Sequence, residues 1–198
     1  MKVGVIVEGQ EGLSWDAWRR IAVRTEELGF DSLWRSDHLL SIIDEGREAT
    51  ETWVALTVAA LETKRLQLGS LVSPVTFRHP AMLAKLAASV DTLSAGRLVL
   101  GVGAGWNDRE HRAYGLPFPP LRERLERLEE GLEVIRRLLG EEPVSYQGQY
   151  YTLDAANPYP KPIQSLQRPR LPLLLGGKGK ERFLRLVARY ADEWNLTT

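Results

Sequence analysis

Two candidate catalytic side chains follow a short apolar segment of the sequence. Residues 30–34 have the composition of a strand, and Asp37 and His38 stand shortly after it. An imidazole can take or give a proton near neutral pH, and a neighbouring carboxylate can tune it for that task. We therefore interpret His38 as a candidate proton donor or acceptor with Asp37 beside it. A hydrogen-bonded structural histidine is the alternative.

A glycine-rich segment follows another apolar run, at residues 176–180. Its glycines let the backbone approach a ligand closely, and the start of the following predicted helix offers free N–H groups to an anion. Gly176, Gly177 and Lys178 are therefore candidates for phosphate binding, although the segment lacks the spacing of a P-loop. A solvated glycine-rich turn is the alternative interpretation.

Residues 101–106 form a second glycine-rich segment after a predicted strand. They invite comparison with the dinucleotide-binding fingerprint, but Trp106 stands where the third glycine belongs, and no helix is expected to open there. We interpret Gly103 and Ala104 as a backbone wall against a planar ring, with Trp106 and Asn107 directed into the same site. A tight turn after a strand is the alternative.

Alternating strand and helix patterns must position these segments. Short apolar runs predict six strands, at residues 3–7, 30–34, 66–72, 97–102, 171–175 and 192–196. Helical periodicity predicts helices between them, at residues 15–28, 53–61, 121–139 and 181–190, with one more beginning at Pro80. Repeated strand–helix units imply a parallel α/β sheet with right-handed crossovers, so function gathers at the carboxyl ends of the strands. This order fits either a doubly wound sheet or a β/α barrel.

Residues 143–170 interrupt the repeat. Tyrosines surround Gly148 and several prolines follow, which predicts a short hairpin and a loop excursion outside the core. The 198 residues otherwise form a single domain. They supply about six of the eight repeats that a closed barrel contains.

Composition narrows the possible functions. The chain has 26 basic and 26 acidic residues, so binding to nucleic acid or to an anionic membrane is not expected as its main role. It contains no cysteine, which excludes thiol catalysis, and no spacing suggests a metal site. The apolar segment at the N-terminus is too short for a signal peptide or a membrane span. A soluble cytoplasmic protein is therefore expected.

Four segments, in this order, resemble the luciferase-like superfamily. They are residues 29–38 (GFDSLWRSDH), 78–80 (RHP), 95–106 (AGRLVLGVGAGW) and 191–195 (ADEWN). The likeness covers essentially the whole chain and is greatest to the oxidoreductases that depend on the deazaflavin coenzyme F420, with the FMN-dependent monooxygenases close behind. It implies a (β/α)8 TIM barrel, shortened here to about six repeats, with the cofactor in its C-terminal mouth.

The resemblance also implies roles for individual residues. Asp37 and His38 fall where deazaflavin enzymes have residues near the reactive ring. Ser70 and Leu71 match the position of a non-prolyl cis peptide that backs the ring, a costly bond that is usually tied to function.

The cofactor phosphate and the acid–base group are implied in the same way. Gly176, Gly177 and Thr197 match the neighbourhood of the phosphate. Some deazaflavin dehydrogenases carry a catalytic glutamate where Trp106 stands here, so acid–base work is expected to fall to His38 or to another group, and a sugar phosphate is not the expected substrate.

The sequence thus predicts hydride transfer between F420 and a small organic substrate. An FMN-dependent monooxygenase is one alternative. A shortened barrel that binds a flavin or a partner without turnover is another. Because an unclosed barrel exposes strand edges, we also expect a homodimer.

Overall fold

The computed structural model describes residues 1–44, 46–140, 143–163 and 168–196. Strands within these ranges are β1 (Gly4–Val7), β2 (Ser32–Arg35), β3 (Gln67–Ser70), β4 (Ser73–Pro74), β5 (Leu98–Gly103), β6 (Val144–Gln147), β7 (Thr152–Ala156), β8 (Leu173–Gly176) and β9 (Glu193–Asn195). The helices are α1 (Trp15–Glu27), α2 (Thr52–Glu62), α3 (Pro80–Leu93), α4 (Asp108–Ala113), α5 (Leu121–Gly140) and α6 (Glu181–Tyr190).

One parallel sheet organises the chain, with the strand order β1-β2-β3-β5-β8-β9 and the short β4 paired to β5. The order follows the sequence and never reverses. A doubly wound sheet reverses its strand order at a switch point, whereas right-handed crossovers in a single direction put every helix on the same face. The barrel alternative is therefore the correct one.

The strand register brings the carboxyl ends of the strands together. Arg35 pairs with Ser70 across β2 and β3, and Ser73 pairs with Val102 across β4 and β5. Gly176 of β8 pairs with Asn195 of β9. Because neighbouring strands end at matching levels, the segments that follow them meet at one edge of the sheet.

The hydrophobic core lies between the sheet and the helices. Trp18 of α1, Leu56 of α2, Leu83 of α3 and Leu132 of α5 are all fully buried there. Burying one leucine side chain contributes about 1.5–3 kcal/mol, so this layer fixes the helices against the strands. No helix within the described ranges has the length and the apolar character needed to cross a membrane.

The six predicted strands and the five predicted helices are confirmed, with small shifts at their ends. The expectation that no helix opens after residues 101–106 is wrong, because α4 begins at Asp108. The side chain of Asn107 caps it by accepting a hydrogen bond from the backbone N–H of Arg109 at 3.2 Å. Six residues are too few to show helical periodicity, which is why the sequence pattern missed this helix.

The excursion contains the expected hairpin. Strands β6 and β7 pair antiparallel and form a two-stranded sheet outside the main one. The hairpin is tied to α5 because the carboxylate of Glu130 accepts hydrogen bonds from the backbone N–H groups of Tyr150 and Tyr151.

Candidate functional site

A cavity of about 380 Å³ opens at the carboxyl ends of the parallel strands. Leu121 and Leu125 of α5 close one side of it, which extends the apolar face of that helix beyond the core. Its other lining residues are Asp37, His38, Leu71, Val72, Pro74, Gly103, Ala104, Gly105, Trp106, Gly176, Gly177, Lys178, Phe183 and Asn195. The cavity therefore gathers segments from the ends of six strands.

Most of the sequence-predicted site residues line this cavity, namely Asp37, His38, Leu71, Gly103, Ala104, Trp106, Gly176, Gly177 and Lys178. Ser70 does not, because its fully buried hydroxyl donates to the carbonyl of Gly101 at 2.9 Å. Asn107 does not line it either, because its side chain caps α4. Thr197 lies outside the described residues. In the described part of the chain, no three His, Asp or Glu side chains converge as metal ligands would.

The wall of the cavity is built around Val72. The Leu71–Val72 peptide is cis, one bond further along the chain than the Ser70–Leu71 bond that the resemblance suggested. A Cβ atom at Gly103 would lie 2.7 Å from one Val72 methyl group, and a Cβ atom at Gly176 would lie 2.7 Å from the other. Both contacts are too close for any side chain. The glycines of β5 and β8 are thus required for Val72 to occupy the wall.

His38 is held by a buried carboxylate that the sequence reasoning missed. Its Nδ1 atom lies 2.9 Å and 3.1 Å from the two carboxylate oxygens of Glu110, and Glu110 is fully buried. The same carboxylate accepts hydrogen bonds from the backbone N–H groups of Leu39 at 2.7 Å and Leu40 at 3.2 Å. The imidazole also meets the indole of Trp106 edge-on, with ring centroids 5.6 Å apart.

The protonation state of Glu110 follows from these contacts. Burial opposes its ionisation, but the hydrogen bonds from His38 and from the backbone of Leu39 and Leu40 outweigh burial and hold the pKa of Glu110 below its ordinary value. An ionised carboxylate only accepts hydrogen bonds, so Nδ1 of His38 carries a hydrogen. The other ring nitrogen, Nε2, has no hydrogen-bonding partner among the described residues and is available in the cavity.

Asp37 belongs to a different network. It is buried, and its carboxylate pairs with Arg78 at 2.7 Å and accepts a hydrogen bond from the hydroxyl of Ser73 at 2.5 Å. Arg78 also pairs with Glu51. Burial lowers the pKa of Arg78, but Asp37 and Glu51 outweigh burial and raise it above its ordinary value. The hypothesis that Asp37 tunes His38 is therefore corrected, since the imidazole bonds to a different carboxylate.

The end of the cavity at β8, which β3 and β5 separate from β2 and His38, is formed mainly by backbone. The N–H of Gly177 donates to the carbonyl of Asn195 at 3.1 Å, which holds the segment after β8 against β9. Helix α6 begins at Glu181, and its N-cap residue, Lys180, makes no side-chain capping hydrogen bond. Its first N–H groups thus remain available to an anion, and the exposed Lys178 adds a positive charge.

Comparison with known proteins identifies the class to which this fold and cavity belong. The sequence profile of a family described as luciferase-like monooxygenase matches residues 1–198, so the chain belongs to this family. An F420-dependent glucose-6-phosphate dehydrogenase of Amycolatopsis mediterranei is 38% identical over 171 residues, which is 86% of this chain and 48% of that protein. The chain spans about half the length of the curated relatives it matches.

Two solved structures share the fold. An F420-dependent secondary alcohol dehydrogenase in complex with an F420–acetone adduct superposes with a TM-score of 0.87 at 27% identity, covering 98% of this chain and 57% of that one. The coenzyme F420-dependent tetrahydromethanopterin reductase from Methanopyrus kandleri superposes with a TM-score of 0.78 at 25% identity, covering 99% of this chain and 55% of that one. The parallel sheet and its helices thus have the fold of luciferase-like TIM-barrel proteins over essentially the whole of this chain.

Proposed function

We propose that the cavity binds the deazaflavin coenzyme F420 and that the protein transfers a hydride between this coenzyme and a small organic substrate. The observation that carries the proposal is the combination of three features in one cavity. An imidazole with a free nitrogen lies at one end, an anion-binding backbone segment with Lys178 lies at the other, and Val72 forms the wall. The F420 dependence stated in the names of the relatives supports the choice of coenzyme.

The lining of the cavity fits such a group. Gly103 and Gly176 flank Val72 without projecting side chains, which leaves a smooth surface for a planar ring. Leu71 and Pro74 add apolar contacts to this wall. A phosphate could then lie beside Lys178 and the uncapped start of α6.

His38 would handle the proton of the reaction. When bound, the coenzyme supplies a ring carbon that accepts or gives the hydride. In the oxidative direction, an alcohol substrate loses its hydroxyl proton to Nε2 of His38 while the hydride leaves its carbon, and the product is a carbonyl compound. In the reductive direction, His38 returns the proton to the carbonyl oxygen. A positioned acid–base group of this kind contributes about 10²–10⁴-fold to a rate.

Titration of the purified chain with F420, and separately with FMN, tests the proposal. We expect saturable binding of F420 at micromolar concentration, and a change in the coenzyme spectrum when secondary alcohols or ketones are added. Preference for FMN with oxygen consumption would favour the monooxygenase alternative. Binding without any turnover would favour the non-catalytic alternative, and binding of neither coenzyme would contradict the assignment.

We also propose, from the sequence, that the protein is cytoplasmic and forms a homodimer. Analytical ultracentrifugation measures the oligomeric state directly. A single species with the mass of one chain at all concentrations would contradict the dimer.

A further inference from the structure

Glu110 has the contacts of a residue that controls another residue. It is fully buried on α4, and both of its carboxylate oxygens approach Nδ1 of His38. One of these oxygens also accepts the backbone N–H groups of Leu39 and Leu40, which directly follow the histidine. The carboxylate therefore fixes both the orientation of the imidazole and the path of the chain that carries it.

We propose that Glu110 is the positioning residue for His38, which keeps the imidazole in the tautomer with hydrogen on Nδ1 and a free Nε2 in the cavity. A carboxylate in this arrangement also stabilises the imidazolium that forms when Nε2 takes a proton. The effect on turnover rests on the proposed function. The tautomer does not, because it is a property of the chain without any coenzyme.

The two charged side chains that line this cavity besides His38 have different positions or partners. Asp37 is paired with Arg78 and hydrogen-bonded to Ser73. Lys178 lies on the segment after β8, beside Gly176 and Gly177 at the opposite end. Among the described residues, Glu110 is thus the carboxylate that contacts the imidazole.

The substitution Glu110→Gln separates positioning from folding. The amide oxygen of glutamine can still accept the N–H groups of Leu39 and Leu40, so the chain after β2 keeps its hydrogen bonds. The amide nitrogen then faces Nδ1 of His38 as a donor. Nδ1 must become the acceptor, and the hydrogen moves to Nε2, which can no longer take a proton from a substrate.

Nitrogen NMR of the unliganded protein labelled on histidine measures the tautomer. The chain has three histidines, and comparison with His38→Gln identifies the signal of His38. We expect the Nδ1–H tautomer in the wild type and the Nε2–H tautomer in Glu110→Gln. The matched control is Asp108→Asn on the same helix, whose half-exposed carboxylate pairs with Arg112, and it should leave the His38 signal unchanged.

Turnover with F420 gives the second readout. Glu110→Gln should lower kcat by about 10²-fold or more, while the Kd for F420 changes less than about threefold. Retention of the Nδ1–H tautomer and of full turnover in this variant would overturn the proposal. An Nε2–H tautomer in the wild type would also overturn it, even if the variant fails to fold. A switched tautomer in a chain that binds no F420 would support the role of Glu110 and contradict the coenzyme assignment alone.

Discussion

The two ends of the cavity are built from different parts of the chain: side chains form the His38 end, and backbone forms most of the Gly176 end. At the His38 end, side chains from distant parts of the sequence meet, and the carboxylate of Glu110 comes from 72 residues further along the chain. At the Gly176 end, the backbone after β8 and the uncapped start of α6 form the surface, and Lys178 supplies the charge. The first end therefore depends on the identity of individual side chains. The second depends on the absence of side chains and on one charge.

The His38 end should be the more sensitive one in turnover. His38→Gln removes the nitrogen that exchanges the proton, so we expect kcat to fall by about 10²–10⁴-fold. The Kd for F420 should change little, because the proposed phosphate contacts are at the other end. Steady-state kinetics together with calorimetric titration would measure both constants. Unchanged turnover would remove His38 from the reaction.

Substitution of Asp37 tests how much the His38 end contributes to the stability of the fold. Asp37→Asn leaves the partly buried Arg78 with Glu51 as its remaining carboxylate partner, and we expect a loss of about 3 kcal/mol in the free energy of unfolding. Urea denaturation measures this loss. The exposed Asp154→Asn on β7 serves as the control, with an expected change within about 0.5 kcal/mol. Equal free energies of unfolding for the two variants would mean that the Asp37–Arg78 pair does not stabilise the fold.

Charge reversal at Lys178 tests the Gly176 end of the cavity. Lys178→Glu should raise the Kd for F420 about tenfold, which corresponds to about 1.4 kcal/mol, because a carboxylate would then face the phosphate. The effect should shrink as salt is added. Lys64→Glu makes the same charge change on an exposed residue at the opposite edge of the sheet and should leave the Kd unchanged. Equal effects of the two substitutions would mean that the phosphate does not bind beside Lys178.

Acid should produce the smallest effect, and it tests the carboxylate at the His38 end. The pKa of Glu110 is lowered in the folded chain, so its stabilising contribution is present above the unfolded-state pKa and is lost as the pH falls through the folded-state value. The free energy of unfolding of the wild type should therefore fall more steeply below about pH 5 than that of Glu110→Gln. Urea denaturation at several pH values provides the comparison. Parallel curves would show that Glu110 does not contribute to the pH dependence of the free energy of unfolding.

The sequence predicted the Gly176 end of the cavity better than the His38 end. Gly176, Gly177 and Lys178 follow a short apolar run and precede a segment with helical periodicity, so their place at the sheet edge could be deduced. The partner of His38 could not be deduced, because Glu110 lies on a six-residue helix that shows no periodicity. Proximity in sequence favoured Asp37 instead.

Asn107 and Ser70, which were predicted to contact the cofactor, do not line the cavity for a similar reason. Both residues stand beside cavity-lining positions, but local hydrogen bonds turn them away from the cavity. Asn107 caps the helix that was not predicted, and Ser70 bonds to the neighbouring strand. The sequence resemblance located the cis peptide to within one bond, at Leu71–Val72.

A crystal structure of the chain with F420 bound would test the central claim most directly. We predict that the deazaflavin ring lies against Val72, with its reactive carbon directed toward the His38 end and its phosphate beside Gly177 and Lys178. A coenzyme bound outside this cavity, or with its phosphate beside His38, would contradict the account.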